Sequence, residues 1–296
     1  MPALLDMART FVKIRRLNTP AEIKARIRRS YLNVFALNKY DHKTNIANIA
    51  GYNVSFLDFR TFSQLFRELF INNDYYFSPD SDAPYIIDCG SNIGMSILYF
   101  KMLYPKCKIV AFEPGVETFS CLEKNVRDNR LTFVDVHNAA LSNTEGTLDF
   151  YYDPDNVGSL KMSLRQERMA KQTRSVHATR LSPFIDQEVD FLKMDIEGAE
   201  LDVIEELYKA GKLSHIKQLI IEYHHHLTTD SDVLSTMLKI LEDAGLGYQI
   251  ESYLPRPLQR EQFQDVLIYA YRKSPIDRHS AVVSASSLAK TPVSKP

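Results

Sequence analysis

Three observations predict an open α/β fold on a mostly parallel sheet. From Pro84 onward, short apolar runs alternate with amphipathic segments. One such run, Tyr85-Ile86-Ile87-Asp88, ends in the small-residue turn Cys89-Gly90-Ser91-Asn92-Ile93-Gly94, which opens a helix from Met95 to Leu103. The links between most runs are short, which implies parallel strands joined by right-handed crossovers.

Taken in order, residues 1 to about 45 read as helices with a polar join. Asn45 to Asp58 reads as a hairpin with Gly51-Tyr52-Asn53 at its turn. Thr61 to Ile71 is an amphipathic helix carrying Phe62, Leu65, Phe66 and Leu69 on one face. Asn72 to Pro84 is a loop with Tyr75, Tyr76 and Phe77. Parallel strands follow at Tyr85–Asp88, Lys108–Glu113, Thr132–Asn138, Phe191–Asp195 and Gln218–Tyr223. Helices at Met95–Leu103, Val116–Asn129 and Glu200–Ala210 connect them. Between Asn138 and Phe191 the rhythm breaks. Thr147–Tyr152 and Ser175–Thr179 read as a β-hairpin insertion, with a short helix at Leu164–Lys171. A helix at Asp232–Ala244 precedes Tyr248–Tyr253 and Val266–Tyr271, an antiparallel hairpin joined by a Pro-rich loop. The expected organisation is an N-terminal helical and hairpin extension over 1–60, a main domain over 61–273 with its insertion near 147–180, and a disordered tail over 274–296, where little can be buried.

Bulk properties exclude several classes. The formal net charge is −1, so nothing global attracts nucleic acid or an anionic surface. The three cysteines, Cys89, Cys107 and Cys121, have no metal spacing, and an odd count argues against a disulfide framework. A reducing, cytoplasmic setting is expected. No apolar run approaches the ~20 residues of a membrane span. The N-terminal 29 residues are basic and amphipathic, which suits either a helix packed on the domain or a peripheral membrane contact. An oligomer is compatible with the sequence.

The Asp88-x-Gly90-x-Asn92-x-Gly94 turn sits where open sheets bind nucleotides. A dinucleotide fold wants a glycine where Asn92 stands, and Asp88 would face an approaching pyrophosphate. S-adenosylmethionine carries a sulfonium and an ammonium group instead, and both favour a carboxylate. The acid opposes one ligand and favours the other, which also disfavours a nicotinamide oxidoreductase. Glu113, at the end of the second strand, can accept hydrogen bonds from both ribose hydroxyls. The third strand ends at Asn138, beside the expected adenine, where backbone amides or Asn138 itself can read the base edge.

The reacting end falls on the fourth and fifth strands. Phe191-Leu192-Lys193-Met194-Asp195-Ile196-Glu197-Gly198-Ala199-Glu200 clusters three acids at a strand's carboxyl end. Glu200 suits the start of the next helix, where an acid favours the dipole. Asp195 and Glu197 can face the pocket mouth. The fifth strand ends Glu222-Tyr223-His224-His225-His226. Neighbours in a strand point to opposite faces, so all three histidines do not serve one ion. His224 and His226 can share a face and, with Asp195 or Glu197, hold a divalent cation. A solvated histidine cluster is the other reading. A hydroxyl acceptor must lose a proton during methyl transfer, and His224 or a carboxylate can take it.

Asp88-x-Gly90-x-Asn92-x-Gly94, Phe112-Glu113-Pro114, Lys193-Met194-Asp195-Ile196-Glu197-Gly198-Ala199-Glu200 and Glu222-Tyr223-His224 occur in an order and spacing that resembles the FkbM family of S-adenosylmethionine-dependent methyltransferases. The resemblance covers about Thr61 to Lys273. It implies a class I methyltransferase (Rossmann-like) fold and O-methylation of a sugar, glycan or natural product. It implies cofactor contacts from Asp88, Gly90, Asn92, Gly94 and Glu113, with Asp195, Glu197 and His224 near the methyl group and acceptor. It further implies an aromatic lid contact from Tyr75 or Tyr76. The segment Asn156-Val157-Gly158-Ser159-Leu160 would then border the acceptor. Two alternatives stay open: an RNA or protein methyltransferase docking through its basic N-terminus, and a non-catalytic adenosine-binding protein.

Overall fold

A computed structural model describes residues 2–40, 44–155, 158–160, 162–166, 171–226, 232–252 and 263–273. The tail from Ser274, the Pro-rich loop over 253–262, Asn156 and Val157, and most of the short helix expected at Leu164–Lys171 lie outside the described residues. Residues 164–166 form a bend and a turn.

Helices α1 (Pro2–Arg16) and α2 (Ala21–Tyr40) lead into a hairpin of β1 (Ile46–Ile49) and β2 (Tyr52–Ser55). The turn falls on Ala50 and Gly51, both with positive φ, one residue earlier than the sequence suggests. Two residues in that conformation match the twist of a tight hairpin. Ser30 of α2 accepts from the Ala50 amide at 2.7 Å, and Arg26 donates to the Ala50 carbonyl. Asn125, from a later helix, brackets Ser55 through its amide and carbonyl, at 2.7 and 2.9 Å. Ile14, Ile27, Tyr31 and Val34 are buried in one cluster with Phe62, Phe66, Phe70 and Phe100. Among the described residues, these apolar side chains of α1 and α2 are therefore taken up by the protein's own core. Among the described residues, no helix is long and apolar enough to cross a membrane.

Helix α3 (Phe59–Phe66) starts at Asp58, whose carboxylate accepts from the Thr61 amide at 2.7 Å, the usual N-cap contact. The helix expected to run to Ile71 changes at Arg67 into a π-helical turn (Arg67–Asn72), which ends on Asn73 with φ 70. Leu65 and Leu69, on either side of the change, both reach the central cavity.

The main sheet has seven strands: β3 (Tyr85–Cys89), β4 (Lys108–Phe112), β5 (Val134–His137), β9 (Val189–Met194), β10 (Ile216–His225), β11 (Leu246–Ser252) and β12 (Gln264–Arg272). Their order is β11-β12-β10-β9-β3-β4-β5. Pairs from β10 through β5 are parallel, while β12 runs antiparallel to both β10 and β11. The C-terminal pair is an antiparallel hairpin as expected, with β12 inserted between its partner and the parallel strands. Consecutive side chains of a strand face opposite ways. Accordingly, Ile86 and Phe191 pack under the N-terminal elements, whereas Ile87 and Leu192 pack under α6 (Glu200–Lys209) and α7 (Leu234–Asp243). Helices α4 (Met95–Leu103) and α5 (Val116–Asp128) complete the crossovers. The insertion forms a separate three-stranded sheet, with β7 (Gly146–Tyr152) antiparallel to β8 (Gln172–Thr179) and β6 (Ala140–Leu141) parallel to β8.

The chain passes from β3 outward to β5, then returns to place β9 on the other side of β3. That reversal opens a crevice at the carboxyl ends of β3, β4 and β9, where ligands bind in open α/β sheets.

Candidate active site

A cavity open at its mouth occupies this crevice. Its floor is the turn after β3. Gly90 has φ 83, and a Cβ there would stand 1.8 Å from the Asp195 carbonyl oxygen. Only glycine lets the turn lie against the end of β9. Asn92 keeps a left-handed φ of 48, which asparagine tolerates better than most residues. Its amide donates to Glu113 Oε2 at 2.8 Å, and its Oδ1 accepts from the Ile93 amide. Gly94, with φ 83, caps α4 beneath the turn and does not line the cavity.

Glu113 does line it. Oε1 accepts from the Gly115 amide and Thr118 Oγ1, and Oε2 accepts from Asn92. A carboxylate has about four acceptor positions. One remains open to a donor from a ligand in the cavity. Burial raises its pKa, and the three donors only partly offset this.

Two expected contacts lie elsewhere. Asn138 donates to the carbonyls of Glu113 and Pro114 at 2.9 and 3.2 Å, tying strand ends together, while Ala139, Ala140 and Leu141 reach the cavity in its place. Tyr76 faces the end of α1 and the join after it, where its hydroxyl accepts from Asn18 at 3.2 Å. Of the two adjacent tyrosines, it is the preceding residue, Tyr75, that lines the cavity.

Asp88 is fully buried behind the turn rather than in the cavity wall. Its Oδ2 accepts from Ser96 at 2.5 Å, on the first turn of α4. Its Oδ1 has no hydrogen-bond partner and lies 3.6 Å from Lys193 Nζ. Lys193 is a residue that motif reading passed over. It is a charge inside the apolar strand Phe191–Met194, and a buried charge needs partners. Burial alone would lower its pKa, but Asp195 and Asp88 outweigh that and raise it.

Beyond β9 the chain folds around Glu200. Its carboxylate accepts from the amides of Ile196 and Gly198 at 3.0–3.2 Å and from His224 Nδ1 at 2.9 Å. Glu197 is forced to φ 55, a costly angle for a side chain with a Cβ. This turn brings Glu197 Oε2 to 3.2 Å from His224 Nε2, with Asp195 Oδ1 at 3.9 Å. Asp195 and Glu197 line the cavity; His224, 4% exposed, stands behind them. Burial works against a charged imidazole here. Glu200, then Glu197 and Asp195, outweigh it and push His224 up to about 10. A protonated ring donates through both nitrogens, to Glu200 and toward Glu197, and in that form has no lone pair with which to act as a base. His226 does not share its face: it turns to Asp232 at 3.0 Å and stacks on His225. Glu222, beside Asp195, has its carboxyl raised well above the ordinary range by burial and then by Asp195.

The sequence model of the methyltransferase FkbM domain matches residues 88–250, from the buried Asp88 into the strand β11. The chain belongs to the FkbM methyltransferase family. It is an S-adenosylmethionine-dependent methyltransferase. Methyltransferase 1 of Beauveria bassiana is 33% identical over 206 residues, covering 62% of this chain and 81% of that protein. Methyltransferase sdnD of Sordaria araneosa is 31% identical over 222 residues, covering 64% and 79%. A segment of the AMB antimetabolite synthetase AmbE of Pseudomonas aeruginosa is 24% identical over 218 residues, or 59% of this chain and 10% of that protein. Among solved structures, M. jannaschii TYW2 in complex with AdoMet has a TM-score of 0.42 at 11% identity, covering 78% of this chain and 88% of that one.

The cavity of this FkbM methyltransferase fits the cofactor. It offers Glu113 with one free acceptor position and an apolar slot between Leu141 and the insertion's Phe150 and Met162. Asp88, with its unsatisfied oxygen, lies just behind the turn. Glu113→Ala is expected to weaken S-adenosylmethionine binding by about 10- to 100-fold, the range for losing a hydrogen bond to a charged group. Calorimetric titration measures this, and an unchanged affinity would remove Glu113 from the site.

Proposed function

We propose that this FkbM methyltransferase methylates a hydroxyl of a sugar, glycan or natural product, with Asp195 accepting the hydroxyl proton. S-adenosylmethionine supplies an electrophilic methyl group on a sulfonium sulfur. The protein's part is to align the acceptor in line with that group and to take its proton.

The observation that carries the reading is the carboxylate wall beyond the cofactor turn. Asp195 and Glu197 line the cavity, with Glu222 and Asp265 close by around His224. Carboxylates accept hydrogen bonds from hydroxyls and so suit a polyol. They would also hold an amine acceptor in its protonated form, which has no lone pair to attack, so the wall favours oxygen over nitrogen. Asp195 is the carboxylate best placed to take the proton. It lies at the strand end in the cavity wall, its side chain is 21% exposed, and Lys193 holds one of its oxygens at 3.5 Å. His224 acts indirectly, as a fixed cation that orients Glu197 and Asp195. The name of the Pseudomonas aeruginosa relative, an antimetabolite synthetase, supports a small-molecule acceptor.

Asp195, Glu197 and His224 could also gather around a metal ion, since one ligand atom of each lies within 4.8 Å of the others. A metal would have to displace the proton on His224 Nε2, and we read the site as metal-independent. Incubation with methyl-labelled S-adenosylmethionine and a panel of hydroxylated and aminated acceptors tests the reading. Label is expected on oxygen, at the same rate in the presence of a chelator. Label on nitrogen, or activity lost in chelator and restored by a divalent cation, would overturn it.

A further inference from the structure

A lysine in the wall of a pocket that takes a cationic cofactor is an anomaly, and its geometry points to a role. The Lys193 side chain is 3% exposed. Its Nζ donates to the Gly90 carbonyl at 2.6 Å and the Cys89 carbonyl at 3.2 Å, gripping the cofactor turn from below. It also stands 3.6 Å from Asp88 Oδ1 and 3.5 Å from Asp195 Oδ2. The Tyr75 ring, 5.5 Å away at its centroid, covers it. An ammonium has three donors. Two hold the turn after β3, and one remains, with a carboxylate oxygen of Asp88 and of Asp195 within 3.6 Å. Lys193 thus joins the cofactor turn to the group proposed as base.

The charges add up in a specific way. Asp88 and Asp195 bring two negative charges and Lys193 one positive, leaving the cluster at minus one. The methionine end of S-adenosylmethionine carries a sulfonium, an ammonium and a carboxylate, and so is plus one. The product, S-adenosylhomocysteine, has lost the sulfonium charge and is neutral there. These three groups complement the donor's single positive charge and find no such charge on the product.

We propose that Lys193 is a positioning residue that fixes Asp195 against the cofactor turn and sets how strongly the site prefers the charged donor over the neutral product. This inference rests on the methyl-transfer reading of the cavity. Without the ammonium the cluster becomes minus two. Donor binding is then favoured further over product binding, while Asp195 loses the contact that aims it.

The test is calorimetry with S-adenosylmethionine and S-adenosylhomocysteine on wild type, Lys193→Met and Lys193→Arg, together with kcat. In Lys193→Met the ratio of product Kd to donor Kd is expected to rise at least about tenfold, and kcat to fall at least about tenfold, as a nearby unit charge and a lost alignment would require. Lys193→Arg restores the ratio to within about twofold, but only part of kcat, because its longer fork holds Asp195 differently. If Lys193→Met does not fold, the pair Asp88→Asn with Lys193→Met returns the cluster to minus one. The ratio should then match wild type while kcat stays low. A ratio and a kcat both within about twofold of wild type in Lys193→Met, or in the double variant a ratio that departs from wild type or a kcat that matches it, would overturn the proposal. Failure of the wild type to bind either ligand would instead overturn the cofactor reading itself.

Discussion

Asp195→Asn is expected to lower kcat by about 10²- to 10⁴-fold at saturating cofactor, the usual contribution of a positioned general base. The substitution keeps the shape of the side chain and one acceptor oxygen, so Lys193 retains a partner 3.5 Å away and the turn of Gly90 stays in place. What it removes is the capacity to take a proton from the acceptor. It also removes one negative charge from a pocket for a cation, so donor affinity should weaken by up to about tenfold. Measuring kcat at saturating S-adenosylmethionine separates the two effects. The wild-type rate profile provides a second reading. A histidine base would produce an inflection between about pH 6 and 8, where free imidazole titrates. With His224 raised to about 10 by its carboxylates, no such inflection is expected. A kcat within about threefold of wild type in Asp195→Asn, or a rate that climbs with the titration of a neutral histidine, would return the base to His224.

The sequence made the sheet legible because its strands are buried on both faces and therefore read as near-continuous apolar runs. Ile86–Ile87 and Leu219–Ile221 need no alternation, since each face has its own core. The cofactor turn was legible for a related reason. Glycine at position 90 is dictated by backbone contact with Asp195, and such contacts leave a mark in composition. The strand-to-strand neighbourhood of β12 was not legible. Periodicity gives the faces of a strand but not its neighbours, and β12 lies between β10 and β11. Tyr75 and Tyr76 illustrate the same limit on a smaller scale. They are adjacent and identical, and only the path of the loop after the π-helical turn puts one in the cavity and the other against α1. The histidine run suggested that His224 and His226 share a face, whereas His226 has φ 60 and turns to Asp232. Lys193 was overlooked because it fits neither a motif glycine nor an acid. A charged residue in step with Asp88 and Asp195 at the end of an apolar strand is the signal that could have found it.

Glu200→Gln is expected to destabilise the protein by about 3–5 kcal/mol near neutral pH, the cost of removing one partner from a buried ion pair. Glu200 is 1% and His224 4% exposed, so solvent does little to screen them. Glutamine preserves the shape and can still accept from the Gly198 amide, but it leaves a buried imidazolium with a neutral partner. The sign of the pH effect follows from both groups. His224 is raised to about 10 in the folded protein, against about 6.5 for a free histidine. Its contribution is therefore fully present below about pH 6.5 and is lost as pH rises toward 10. Burial works against the Glu200 carboxylate, but the imidazolium holds it below its ordinary range. Its contribution is present above about pH 4.3 and is lost as pH falls through the lower folded value. The pair stabilises most between these limits. Thermal unfolding near pH 6.5 should show Glu200→Gln melting at least about 6 °C below wild type. Between about pH 6.5 and 10 the wild type should lose more stability than the variant, so the gap narrows with rising pH. A gap that stays constant across this range would mean that Glu200 acts through its hydrogen bonds to Ile196 and Gly198 alone, with His224 uncharged.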